Sequence, residues 1–408
     1  MRNRNILISG AGICGTSLAY WLKQYGFNPT LVERAPAFRT GGYIIDFWGI
    51  GYTVAEKMGV LPALRERGYI ADEVCLLDGD GKKVGGFDTN TFRKNLGDRF
   101  ITIQRGDLAE VIFDKVRKEV ETIYSDSILS LDEDNDGIDV VFQNGTRRRF
   151  DLVIGADGLH SAVRSLAFGS EEMFEKKLGY YAAAFSTEGY RPRDVGAYIC
   201  YTAPGKQLAR FALRNDQTVF FLVFASNGTN KLNGEPDLRK IIENVFGGLC
   251  CESAAFLEAL QSSNDLYFDP VSQIRMPFWS KGRIALAGDA AYCPSLLAGQ
   301  GSALAMLGAY VLACELKMAG GDYSTAFRMY EQLLRQFMLK KQKGAERIGV
   351  WFAPRSTAGV FVRNQITKLF SIPAIANAFV DSSIADNVSL PDYSRIETPE
   401  FETHSFGV

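Results

Sequence analysis

The chain opens on two apolar runs that bracket a helical pattern. Residues 5–9 (NILIS) are apolar, residues 10–15 (GAGICG) form a glycine turn, an amphipathic stretch follows, and a second apolar run ends at Glu33. Together they predict strand, turn, helix and strand over residues 5–34. Next comes a glycine-rich loop containing Gly41 and Gly42, a helix ending near Gly59 and a short helix closing at Gly68. Residues 72–97 alternate short apolar runs around the turn signal DGDGKK, which predicts strands and a hairpin. At 100–117 the pattern returns to strand, turn and helix, and Asp107 with Glu110 reads as a capping box at the helix start. Strands then flank turns at 135–137 and at Asn144-Gly145, leading to the apolar strand 152–155 and a helix capped by Ser161.

Over residues 178–225 the period changes. Four aromatic-rich segments separated by Gly, Pro, Asn and Asp turns predict an antiparallel sheet that forms a second domain. Helical segments follow at 237–247 and 253–261, then an apolar strand at 283–287, a proline-containing loop, and a long helix of small residues starting after Gly299-Gln300-Gly301. Residues 323–385 are mainly helical, interrupted at Pro354 and Pro373, and the stretch after Pro391 reads as a loosely ordered tail.

Composition narrows the function. The 408 residues, 47% of them apolar, suit two or three domains with full cores. A net charge of −2, with no basic stripe interleaved with aromatics, argues against nucleic acid as a partner. Two histidines leave almost no ligands for a histidine-based metal site, so no metal is expected. Seven cysteines without a C-x-x-C pair suit a reducing compartment, and the reading is cytoplasmic. Arg2 and Arg4 before an apolar run imitate a signal peptide, but the glycines break that run at once, and no stretch of about 18 apolar residues predicts an integral membrane segment.

The candidate chemistry starts at G-x-G-x-x-G. Gly10 permits the tight turn, Gly12 lets a pyrophosphate approach the backbone, Gly15 lets the helix pack on the strand, and Glu33 at the end of the second strand can accept hydrogen bonds from a ribose. With the strand, helix and terminal acid in place, the pattern predicts a dinucleotide site. Arg34, Arg39 and Arg105 lie where they can reach such a cofactor, and Asp157-Gly158 closes a strand. Near the second glycine turn, Asp289 ends a strand, while the backbone at Gly299, Gly301 and Ser302 opens a helix able to hold negative charge on a bound ring. His160 reads as a surface histidine. In the aromatic sheet Arg210, Phe211, Phe220 and Phe224, together with Pro294 of the loop, are the candidate lining of a substrate pocket.

Three motifs stand in one order: GAGICG, GADGLHSAVR and GDAAYCPSLLAGQG. That order resembles the class A FAD-dependent aromatic hydroxylases, the para-hydroxybenzoate hydroxylase-like monooxygenases, over roughly residues 5–320. The resemblance implies an α/β chain with a Rossmann-type, GR2-like FAD-binding domain (residues 1–73, 98–173 and 266–325). It further implies an inserted antiparallel β-sheet substrate domain (74–97 and 174–265), a C-terminal helical segment (326–390) and a tail (391–408). It places Gly10, Gly12, Gly15 and Glu33 at the ADP half, Arg105 near the phosphates, Asp157 in a motif shared by FAD and nicotinamide binding, and Asp289 on the ribityl chain. The C-terminal extension also looks somewhat like that of the tetracycline destructases. The chain departs from the family pattern at Tyr292, where many members have histidine, at Ala303, where asparagine is usual, and at Gly308, where an acid is often found.

The implied reaction uses FAD, NADPH or NADH as a transient reductant, and O2. Oxygen added at flavin C4a gives a hydroperoxide that hydroxylates an electron-rich aromatic or polyketide-like substrate, which extends to inactivation of tetracycline antibiotics. Because the cofactor carries that chemistry, no catalytic side chain is expected. Two other readings stand beside it: a flavin-dependent reductase or dehydrogenase of the geranylgeranyl reductase-like type, and a non-catalytic flavin-binding protein.

Overall fold

A computed structural model describes residues 2–38, 41–97, 99–226, 237–370, 388–393 and 396. It is an α/β fold built on two main sheets. The first sheet has six strands in the order Ser280–Lys281, Ile284–Leu286, Leu152–Gly155, Asn5–Ser9, Asn28–Glu33 and Glu121–Tyr124. All neighbours run parallel except the edge pair, and Leu7 lies between Val153 and Thr30. Its central strands read as unbroken apolar runs because both faces are covered. The helices Ile13–Gln24 and Gly301–Met318 pack together on one side, and a three-stranded antiparallel sheet (Ile128–Glu133, Ile138–Phe142, Arg147–Phe150) delivers Ile138, Val140 and Phe142 to the same core. The turns at Asn135–Gly137 and Asn144–Gly145 join these strands as the sequence predicts.

The second sheet has seven strands, in the order Tyr267–Ile274, Glu175–Glu188, Gln217–Ala225, Lys206–Ala212, Ala197–Ala203, Glu73–Leu77 and Lys83–Asp88. The sequence places Tyr267–Ile274 with the cofactor domain from residue 266 onward. In the structure that strand pairs along Glu175–Glu188, so the large sheet gains an edge strand that a short, mixed-polarity run did not announce. One face of this sheet is sealed by the helices Leu238–Phe246 and Ser253–Ser262, and Phe185, Phe220, Phe224, Phe246 and Phe256 form its core. Each buried phenylalanine contributes about 1.5–3 kcal/mol of burial free energy, so this face is fixed by packing.

Two elements join the sheets. A two-stranded ribbon, Ile44–Trp48 against Phe100–Gln104, carries its ends to the space between them. The helix Arg105–Asp114 follows the ribbon directly, starting two residues before the predicted capping box. Its N-cap is Gln104, Asp107 sits in the first turn, and Glu110 pairs with Arg67 instead of capping. The helix starts early because the Arg105 amide donates to the Tyr43 carbonyl, which fixes the chain there.

The C-terminal part packs back over this junction. The helix Tyr323–Phe352 is capped by Asp322, whose carboxylate accepts from the Ser324 amide. Gln342 within it donates to the carbonyls of Ile274 and Cys293, and its own carbonyl accepts from Gln273, which also donates to the Pro294 carbonyl. The loop after Cys293 is thereby held from two sides. A further helix, Thr357–Leu369, starts beyond Pro354 at the Ser356 cap. One described helix, Gly301–Met318, is long and apolar enough to cross a membrane, yet every residue from Ala303 to Leu316 is buried inside the protein.

Candidate active site

The first glycine turn is built by exclusion. Gly10 has φ +98°, and a Cβ there would lie 2.6 Å from the Ala156 carbonyl oxygen; a Cβ on Gly15 would lie 1.9 Å from the Gly10 carbonyl oxygen. Both positions require glycine for the strand, turn and helix to touch. Gly12 differs: nothing lies within 4 Å of where its Cβ would be. It is the N-cap of Ile13–Gln24, has no capping side chain, and the first turn holds no acid, so the helix presents bare amides to an open cradle. Glu33 supports the turn, its carboxylate accepting from the Ala11 amide at 3.0 Å and the Ala35 amide at 2.9 Å. Arg34 is exposed beside it, and Arg39 lies outside the described residues.

Around Cys14 the three motifs meet. Burial pushes its thiol pKa up, and Asp289 and Asp157 add to the effect, so both acids face the same helix start. A Cβ on Gly288 would lie 2.9 Å from the Cys14 sulfur, so the GD turn and the fingerprint helix are in contact. Asp157 is mostly spent inside the fold. One of its carboxylate oxygens accepts from the Ser161 hydroxyl and the other from the amides of Ala162 and Val163 and the hydroxyl of Ser9. Ser161 in turn caps Ala162–Ala167 as predicted. Burial raises the Asp289 carboxyl above the usual range, while Arg105 and Cys293 pull it back.

Beyond Asp289 the cleft reaches the second glycine turn. The helix Gly301–Met318 is preceded by Gln300, again without a capping side chain or a first-turn acid. Ser295 holds φ +101° in the loop leading to it, a strained backbone held by the Gln273 and Gln342 contacts described above. Trp48 lies 3.9 Å from where a Gly299 Cβ would be, is stacked on Phe100, and has a buried indole N–H with no partner among the described residues. Tyr43 links this end to the large sheet: its ring centroid is 5.7 Å from Phe221 and 6.0 Å from Tyr267, and its phenol, pushed up to about 12 by burial, feels both Arg105 and Asp289. Nearby, the half-buried Asp46 accepts hydrogen bonds from Thr102 at 2.7 Å and Tyr198 at 3.1 Å.

The expected substrate lining requires correction. Phe220 and Phe224 point to the helix-covered face and are core, and Arg210 lies on that face, paired with Glu252 and Asp194. Phe211 is on the other face but packs beneath Tyr69 and Tyr198, 2% exposed. Pro294 is buried, its carbonyl held by Gln273. Alternation assigns the cleft-facing position to Phe221, one residue from the predicted Phe220. Tyr43, Trp48, Asp46, Phe221 and Tyr267 were not singled out in the sequence; the adjacency of Tyr43 to Gly41-Gly42 was the one available signal.

Similarity to known proteins shows the family. An FAD binding domain family model matches residues 3–322. A flavin-dependent monooxygenase of Legionella longbeachae serogroup 1 (strain NSW150) is 34% identical over 394 residues, covering 96% of this chain and 99% of the relative. The crystal structure of tetracycline destructase Tet(55) superposes with a TM-score of 0.81 at 32% identity, over 96% of this chain and 100% of that one. Klebsiella pneumoniae HpxO, solved with FAD and uric acid, shares the fold at a TM-score of 0.77 and 22% identity, over 95% of this chain and 98% of that one. The chain belongs to the FAD-binding family of flavin-dependent monooxygenases. Its residues fit that cofactor: an open cradle at Gly12, two uncapped helix starts and an unpartnered Trp48 N–H line one cleft.

Proposed function

We propose that this FAD monooxygenase uses NADPH or NADH and inserts one atom of O2 into a fused-ring phenol or enol, with tetracyclines as the first substrates to test. The observation that carries the substrate class is Tyr43, whose ring touches the aromatic wall of Phe221 and Tyr267 while its backbone anchors Arg105 at the cofactor end. A flat polycyclic ligand suits a wall of that kind. The 32% identity to a tetracycline destructase over 96% of the chain supports the same choice.

In this reading Gly10, Gly12, Gly15 and Glu33 hold the ADP half, Arg105 the phosphates and Asp289 the ribityl chain, while Asp157 shapes the turn of the motif shared by FAD and nicotinamide binding. The backbone of Gly299, Gly301 and Ser302 holds the ring. Bound FAD supplies the electron transfer and the activation of oxygen. The helix start at Gly301 favours negative charge on whatever lies against it, because its first amides have no other acceptor. Tyr43, Phe221 and Phe352 exclude water and orient the substrate's rings. Asp46 and Tyr198 form a hydrogen-bonded pair at the wall, suited to holding a proton beside the substrate. A cytoplasmic setting accords with seven free thiols.

The test is an oxygen-electrode assay of the FAD-loaded protein with NADPH and tetracycline. NADPH, oxygen and substrate disappearing in equal amounts supports the reading. Substrate reduced without oxygen uptake would replace it with the reductase.

A further inference from the structure

The helix Thr357–Leu369 lies across the edge of the large sheet, and Gly85 lets it come close: a Cβ there would be 2.8 Å from the Asn364 carbonyl oxygen. Arg363 and Asn364 are 5% and 7% exposed, although they sit on the last described helix of the chain. Nη1 of Arg363 donates to Oε1 of Gln207 at 3.1 Å, and the same oxygen accepts from Thr202 at 3.0 Å. The Nε and Nη2 donors of Arg363 and the Oδ1 acceptor of Asn364 are buried with no partner among the described residues.

A guanidinium in that state is costly, because it has left water without gaining an opposite charge. Arg210, on the other face of the same sheet, shows the usual solution, with Glu252 and Asp194 against it. Burial pulls the Arg363 pKa down, and among the described residues no carboxylate pairs with it; the nearby Cys200 thiol, itself pushed up by burial, carries no charge at neutral pH. The position ties the arginine to the substrate wall. Gln207 pairs with Val223, two residues along the strand from Phe221 and on the same face. That places it about 7 Å from the row in which Phe221 meets Tyr43.

We propose that Arg363, with Gln207, binds an anionic oxygen of the substrate, a carboxylate, phenolate or enolate, at the end of the ring system remote from the flavin. The assignment rests on the monooxygenase reading and adds a charge requirement to its substrate class. A planar guanidinium with two unpartnered donors matches such an oxygen, and a neutral acceptor would pair the donors but leave the buried charge uncompensated.

The probes are 3-hydroxy-2-naphthoate and its neutral amide, 3-hydroxy-2-naphthamide, titrated into the FAD-loaded full-length protein at neutral pH and followed by isothermal titration calorimetry. The wild type is expected to bind the acid about tenfold more tightly than the amide. Arg363→Met should abolish that preference at unchanged FAD content and circular dichroism, and Arg363→Lys should retain part of it. On the unaltered protein, iodide should weaken binding of the acid and leave the amide unaffected, which decides the matter even if Arg363→Met fails to fold. Equal affinity for acid and amide, binding of neither, indifference to iodide, or a preference that survives in Arg363→Met overturns the assignment and leaves the flavin chemistry standing. Failure of the wild type to take up FAD would overturn the monooxygenase reading instead.

Discussion

The phenol oxygen of Tyr292 fills the space beside Gly308: a Cβ on Gly308 would lie 1.7 Å from it. Tyr292 and Gly308 are two of the positions at which the chain departs from the pattern of the family, and in space they are one exchange. The larger ring on the GD turn is accommodated by the missing side chain on the long helix. Tyr330 donates to the Tyr292 oxygen at 3.1 Å, and the Tyr292 ring packs 4.7 Å from Trp279, so the exchange is locked from behind.

Gly308→Ala therefore sets two effects against each other. Helix propensity favours alanine by about 1 kcal/mol, and overpacking costs about 1–3 kcal/mol. Because the clash is with a buried ring, the net expected result is a loss of about 1–2 kcal/mol in urea unfolding. Tyr292→Phe should recover about 1 kcal/mol of it in the double variant. Strict additivity would show that the two positions are independent.

The glycine fingerprint gives a sharper contrast. Gly15→Ala puts a Cβ 1.9 Å from the Gly10 carbonyl oxygen and should destabilise the apoprotein. Gly12→Ala meets nothing and should leave the apoprotein's melting temperature unchanged while weakening FAD binding about tenfold or more. Calorimetry of the apoproteins and flavin titration separate the two outcomes.

In the large sheet, neighbouring phenylalanines should answer differently. Phe220→Ala empties a fully buried core site and should cost about 3–5 kcal/mol of stability. Phe221→Ala, half-buried at the cleft, should cost less and raise the substrate KM several-fold, with kcat less affected.

These contrasts also mark how far the sequence could be read. The strand, turn, helix and strand at residues 5–34 were legible because each glycine is forced by backbone contact. The four aromatic strands were legible from their period. Which face of the sheet borders the cleft was not, because alternation is symmetric until a covering element is known. The helices Leu238–Phe246 and Ser253–Ser262 took the Phe220 face, and Phe221 was left to the cleft. Arg363 was illegible for the same reason: a charged residue on a C-terminal helix reads as solvent-facing until the helix is seen lying on Gly85. The capping box at Asp107 failed because a tertiary bond, from the Arg105 amide to Tyr43, started the helix earlier.

His160 bridges Asp269 at 3.0 Å and Glu171 at 2.9 Å, joining the DG motif to the edge of the large sheet. The Asp269 hydrogen bond, with help from Glu171, raises its pKa from 6.5 to about 9 against the opposing effect of burial. The folded state thus holds the proton more tightly than the unfolded chain. The stabilisation is full below pH 6.5 and is lost as the pH rises through about 9. For a half-exposed pair, screening reduces it to about 1 kcal/mol. The melting temperature of wild type relative to His160→Gln should fall over that window; a constant difference across it would contradict the bridge.

The central claim is tested most directly by an anaerobic titration of the FAD-loaded protein with NADPH in the presence of tetracycline, followed by admission of oxygen and mass analysis of the ligand. The account predicts bleaching of the flavin by NADPH and, once oxygen enters, a ligand heavier by one oxygen atom. Flavin that NADPH never reduces, with or without ligand, would contradict it.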